Sequence, residues 1–202
     1  MTKKELIGKY QHKASVLSCC FVDRTHTASG GLDKVVKTCD IVSGSETLLG
    51  LHTQAVRSVL HNQKEGLLVT GSWDQTVKYW DLRSSRAIAT CNVGNKVFAM
   101  SCTDQRLVVG LAARQVLVYD FRNMQVPEQQ RESSLKYQTR SLCCMPDGSG
   151  FVMGSTEGRV AVEFFDPSPE IQAQKYAFKC HRASVNGVDT TYPVNAIAFH
   201  NS

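Results

Sequence analysis

A closing aspartate recurs along this chain at positions 40, 81, 120 and 166, in steps of 41, 39 and 46 residues. Ahead of each stands the same kind of segment. In Gly71-Ser72-Trp73-Asp74-Gln75-Thr76-Val77-Lys78-Tyr79-Trp80-Asp81 a tight turn leads into alternating apolar and polar residues. Gly30 to Asp40, Gly110 to Asp120 and the longer Gly154 to Asp166 have the same form. Alternation with period two is the mark of a half-buried strand, and the small-residue turn before it is a hairpin signal. A second strand pattern keeps the same phase: Val16–Phe21, Val56–Leu60, Val97–Ser101 and Ser141–Met145 each begin 23 to 25 residues before their aspartate. Two features in one phase exclude chance.

A repeat of about 40 residues whose strand closes on Trp-Asp is the signature of a WD-type propeller blade. The expected fold is all-β: a WD-repeat β-propeller with about four complete blades, ragged at both ends, forming one incomplete propeller domain over 1–202. The blades fall at roughly 14–51, 55–91, 96–137 and 139–179, with the start of another at 193. Leu6 to Tyr10 reads as the outer strand of a preceding blade, and Arg122 to Gln130 as a polar connector. In WD repeats a histidine before the innermost strand and an aspartate in the later turn form a buried network. His12 with Asp33, 21 residues apart, and His52 with Asp74, 22 apart, fit that pattern. A buried histidine paired with a carboxylate needs no catalysis to explain it. The blade from Lys96 has lost both partners, with Asn95 near the histidine position and Ala113 at the aspartate position.

Composition narrows the functional classes. With 42% hydrophobic and 20% charged residues the chain is an ordinary globular sequence. A net charge of +5 carried on scattered lysines and arginines is not the footprint of a nucleic-acid binder. No run of eighteen apolar residues offers a membrane span, and no apolar stretch behind Met1-Thr2-Lys3-Lys4-Glu5 offers a secretory leader. The eight cysteines include no Cys-x-x-Cys pair, and Cys19-Cys20 and Cys143-Cys144 lie inside apolar strands. They read as small hydrophobes in a reducing compartment, with neither disulfides nor a metal site expected. No phosphate-cradling glycine loop, nucleophile elbow or His-Glu-x-x-His pair occurs, so neither an enzyme nor a cofactor is expected.

From Arg131 onward the sequence resembles one family closely. Arg131 to Arg140, Glu157 to Glu163, Asp166-Pro167-Ser168-Pro169-Glu170, Lys175 to Arg182 and Tyr192 to Ala196 carry the likeness, and Gly71 to Asp81 and Tyr10-Gln11-His12 extend it. The family is the mitotic spindle-checkpoint WD-repeat proteins, "budding uninhibited by benzimidazole". A sister family, the WD-repeat mRNA-export factors that dock on a nucleoporin, shares Leu135 to Gln138, Glu157 to Ala161 and Phe178 to Arg182. Ser133-Ser134, Val162-Glu163 and Tyr192 to Asn195 favour the checkpoint family.

The resemblance implies a seven-bladed parent of which this chain lacks the first blade and most of the last two. It implies a non-enzymatic adaptor in the nucleus and, in mitosis, at kinetochores, with a cytoplasmic pool left open. Its partners would be checkpoint kinases and pseudokinases, held through a GLEBS peptide, and a kinetochore scaffold read at phosphorylated Met-Glu-Leu-Thr motifs. Neither nucleic acid nor membrane would be bound directly. Arg159 matches the family's carboxylate-binding arginine, since a guanidinium forks carboxylates and phosphates bidentately. Lys179 and Arg182 match a basic pair associated with phosphate, and Trp73 is placed to pack against the peptide. Each also has an ordinary reading: a solvated turn arginine, a charged edge, and an aromatic at the edge of the core.

Overall fold

The computed structural model describes residues 9–83 and 86–200. Among the described residues, sixteen strands form four antiparallel sheets of four strands each. The first holds β1 (Val16–Phe21), β2 (His26–Gly31), β3 (Val35–Asp40) and β4 (Glu46–Leu51); the second holds β5 (Val56–Asn62), β6 (Leu67–Ser72), β7 (Thr76–Asp81) and β8 (Arg86–Asn92). The third holds β9 (Val97–Cys102), β10 (Arg106–Leu111), β11 (Gln115–Asp120) and β12 (Gln129–Glu132). The fourth holds β13 (Thr139–Cys144), β14 (Gly150–Ser155), β15 (Arg159–Phe164) and β16 (Tyr176–Lys179). Within each sheet the strands lie in chain order, the meander of a WD blade. One short helix, α1 (Pro169–Gln172), follows the fourth sheet's third strand, where Pro167 and Pro169 cannot donate to a ladder.

The chain divides into two compact units, one ending at Asn92 and one beginning at Val93. In the first, β5 lies against β1 and β2, and Ala28, Val36, Leu49, Val56, Val59, Leu68 and Trp80 form its core. The recurring glycine has its reason here. A Cβ on Gly30 would stand 2.5 Å from a Val56 methyl, so only a bare backbone lets the two sheets approach. Ser18 Oγ accepts the Val59 N–H across the same contact at 3.0 Å. In the second unit β13 lies against β9; Val108, Val118, Leu135, Phe151, Met153 and Ala161 lead its core. Burying a Val, Leu or Phe side chain of this kind contributes about 1.5–3 kcal/mol each.

Three local expectations need revision. Leu6 to Gly8 of the expected outer strand lie outside the described residues, while Lys9 and Tyr10 carry no strand. The third sheet ends at Glu132, short of 137, and Leu135 turns into the core of its unit. The strand expected to open a further blade at 193 has no ladder partner among the described residues. A hairpin of β17 (Arg182–Val185) and β18 (Val188–Thr191) precedes it. Val194 nevertheless lies along the fourth sheet, accepting the Ser141 hydroxyl at 2.7 Å and donating to Ser155 O at 3.0 Å.

Candidate functional site

One backbone hydrogen bond recurs in each four-stranded sheet and fixes the equivalent positions. Leu32 N–H donates to Ser15 O, Trp73 to Ala55, Ala112 to Lys96 and Thr156 to Gln138. Counting from these bonds, His12 and His52 stand where Val93 and Leu135 stand in the second unit. Ser29 and Thr70 correspond to Val109 and Met153, and Asp33 and Asp74 to Ala113 and Glu157. Asn95 is therefore not at the histidine position; it lies two residues on and donates to Gln115 Oε1 at 2.9 Å.

The first unit carries the polar network twice. His12 Nδ1 is 2.9 Å from Asp33 Oδ2, and Nε2 is 2.8 Å from Ser29 Oγ. His52 Nδ1 is 2.9 Å from Asp74 Oδ2, and Nε2 is 2.8 Å from Thr70 Oγ1, which in turn accepts Trp80 Nε1–H at 2.8 Å. Burial pushes the His52 imidazole below its ordinary value against the pull of Asp74, so it is neutral at neutral pH. Burial works to raise Asp74, but the Thr76 hydroxyl, the Thr53 N–H and His52 outweigh it and hold that carboxyl at about 2. With the imidazole neutral, the two threonine donors carry most of this. Nothing in either network is exposed enough to meet a substrate. Both stabilise their blades.

The second unit assembles a different group of side chains. Arg159 opens β15 directly opposite Lys179 on β16 in the strand register. Between them and β14, the turn Glu157-Gly158 takes a left-handed glycine at φ +69°. The chain after β16 folds back over this turn: Cys180 N–H donates to Gly158 O at 2.9 Å and Arg182 N–H to Cys180 O at 2.7 Å. Arg182 is thereby brought to the same place. Glu157 lies between the two arginines, 3.6 Å from Arg159 Nε through Oε1 and 4.0 Å from Arg182 Nη1 through Oε2. Its side chain is 16% exposed, against 37% for Arg159 and 25% for Arg182. Lys179 is exposed and has no ion pair among the described residues. Three cations and one carboxylate thus share one end of the fourth sheet.

Arg140 joins this end of the sheet although the sequence does not single it out. It sits in a register break between Thr139 and Ser141 on β13, and its Nε donates to Asn195 Oδ1 at 3.0 Å. Such bulges re-aim a side chain out of the ladder, often toward a binding surface. The only sequence signal is a charged residue inside an otherwise small and apolar strand.

Trp73 belongs to the first unit and to a site of its own. It occupies the turn after β6, half-buried, with its N–H on Ala55 O at 3.0 Å. Its indole Nε1 is buried with no hydrogen-bond partner among the described residues. A buried, unpaired donor costs about 1–3 kcal/mol. By contrast, every network residue already has its partner.

Among the described residues no cluster of histidine, cysteine, aspartate or glutamate could hold a metal ion. No helix there is long and apolar enough to cross a membrane. Residues 43–81 match the WD domain, G-beta repeat family. Nearly the whole chain, 99% of it, is 49% identical to the mitotic checkpoint protein BUB3.1 of Arabidopsis thaliana, covering 60% of that relative. The mitotic checkpoint protein bub3 of Dictyostelium discoideum is 45% identical over 95% of the chain and 59% of its own length. A poly(A)+ RNA export protein of Schizosaccharomyces pombe is 40% identical over 96% of the chain and 56% of its own length. The chain spans about 60% of the length of the checkpoint relatives it matches.

Proposed function

We propose, on the premise that this chain belongs to the WD-repeat family of the BUB3 mitotic-checkpoint proteins, that it serves as a non-enzymatic checkpoint adaptor holding acidic and phosphorylated peptides. The observation that carries the reading is the pair Arg159 and Arg182 sharing the single carboxylate of Glu157, with Lys179 opposite Arg159 in the strand register. An excess of cations, two of them planar guanidinium forks, suits carboxylate and phosphate ligands. Arg159, with Arg140 beside Asn195, is assigned to the carboxylates of a GLEBS peptide from checkpoint kinases and pseudokinases. Lys179 and Arg182 are assigned to the phosphate of a kinetochore scaffold motif. Trp73 offers a separate contact within its own unit, the accessible part of its indole ring. Work in the nucleus and at kinetochores follows from these partners.

Isothermal calorimetry tests the assignments. Arg159→Ala is expected to weaken the GLEBS peptide by about 1.5–3 kcal/mol, the range for hydrogen bonds to charged groups. The double change Lys179→Ala with Arg182→Ala should weaken a Met-Glu-Leu-phosphothreonine peptide and leave the GLEBS peptide nearly untouched. Equal losses on both peptides would remove the division of labour. The similarity to an RNA-export protein supports a second reading, an export adaptor on a nucleoporin. A nucleoporin GLEBS peptide binding more tightly than the kinase peptide would favour it.

A further inference from the structure

Glu157 does not behave as an ordinary surface acid. Its carboxylate splits between two arginines, one oxygen to each, and neither contact is a close bidentate fork. It is held there by the backbone. Its own N–H bonds to Ser155 Oγ at 3.3 Å, and the following Gly158 is clamped by Cys180. The clamp admits no side chain: a Cβ on Gly158 would meet His181 O at 2.6 Å and Tyr192 O at 2.9 Å. The carboxylate is therefore presented to the arginines by a rigid turn, in the place where an incoming anion would sit.

Resting on the adaptor reading, we infer that Glu157 is a built-in competitor, an intramolecular carboxylate that occupies Arg159 and Arg182 until a ligand phosphate displaces it. The geometry sets a threshold. At 3.6 and 4.0 Å and partly exposed, each pair is of the weak class that solvent and salt screen, so it yields to a better ligand. A peptide carboxylate replaces one single negative charge with another and gains little. A phosphothreonine brings about −1.5 to −2 charges and three acceptor oxygens, enough to satisfy both arginines and Lys179 together. The carboxylate thus lowers affinity for every anion at this pair of arginines, and least for a phosphate, which brings more charge than it displaces. It also offsets part of the repulsion between two neighbouring guanidiniums when no ligand is present.

The test removes the charge and keeps the shape. Glu157→Gln should bind a Met-Glu-Leu-phosphothreonine peptide about tenfold more tightly by calorimetry, and should raise the affinity of inorganic phosphate by a similar factor. The same peptide with glutamate in place of phosphothreonine should rise from undetectable to measurable binding. Glu157→Asp, too short to span both arginines, should give an intermediate gain and guards against a folding defect peculiar to glutamine. In an Arg182→Ala background the gain should shrink at least threefold. If neither substitution tightens phosphate or phosphopeptide while the melting temperature is kept, Glu157 is not a competitor. If phosphate binding tightens but the unsubstituted chain fails to bind the phosphopeptide, the competitor stands and the adaptor reading falls.

Discussion

Trp80, Thr70, His52 and Asp74 make a relay with one consistent direction. The indole N–H donates to the Thr70 oxygen, the Thr70 hydroxyl donates to His52 Nε2, and His52 Nδ1–H donates to the carboxylate. The second unit replaces the histidine and hydroxyl positions with apolar residues, Val93 and Val109 in one sheet and Leu135 and Met153 in the other, while the aspartate position holds Ala113 in the first and, in the second, Glu157, which faces arginines instead. A half-removed network would leave donors without acceptors in a dry site, which costs more than having either a full network or none. Thr70→Val should accordingly strand both the Trp80 N–H and His52 Nε2 and cost about 2–4 kcal/mol in denaturant unfolding. Val109→Thr should also destabilise, by about 1–3 kcal/mol, because its hydroxyl arrives without partners. A neutral outcome for Thr70→Val would mean that the relay contributes nothing. The pairs His12–Asp33 and His52–Asp74 were legible from spacing alone. Their apolar counterparts were not, because a valine or leucine at a network position looks like any other core residue until the register identifies it. Glu157 is hidden for a related reason: nothing in the sequence says that the glutamate at the aspartate position faces arginines.

Individual sheets explain why the phased repeat could be read at all. The matched repeat, residues 43–81, begins just before β4 of the first sheet and closes at the end of β7 in the second. A sequence repeat therefore bridges two sheets, tying the outer strand of one to the three inner strands of the next. Strand periodicity and the turn glycines report such local order directly, and the inner strands fall within a residue or two of where alternation puts them. The β17–β18 hairpin is harder to read from sequence, since Arg182 to Thr191 alternates weakly and its turn at Asn186-Gly187 stands beside the stronger Tyr192 to Phe199 pattern. The turn at Gly158 gives the element-scale prediction. Gly158→Ala must hold a left-handed φ and push its Cβ against two carbonyl oxygens. Loss of about 1–3 kcal/mol of stability is expected from the backbone strain, together with weaker phosphopeptide binding, because the turn positions Arg159 and, through the Cys180 bond to Gly158, Arg182. Measured by thermal melts and calorimetry, an unchanged binding constant would show that the turn does not organise the cations.

Across the molecule the two units differ in how they bury polarity, and that difference has a pH signature. Burial lowers both His52 and His61 in the first unit, and His61 Nδ1 is buried without a hydrogen-bond partner among the described residues. The second unit buries no histidine among the described residues. A histidine that is harder to protonate folded than unfolded binds more protons in the unfolded state once the pH drops below its ordinary value near 6.5. Its stabilising contribution is complete above that value and is lost as the pH falls below it. Asp74, held at about 2, works over a separate range, losing its contribution only below about 4. Between pH 7.5 and 5 the histidines alone should act, and only on the first unit. Hydrogen exchange read by mass spectrometry, as protection factors corrected for intrinsic rates, should show β5 to β7 losing protection over that range while β9 to β11 keep theirs. His61→Phe should recover part of the lost protection, since it keeps an aromatic ring and removes the titration. Equal loss in both units, or no loss in either, would show that buried histidines do not set the pH response.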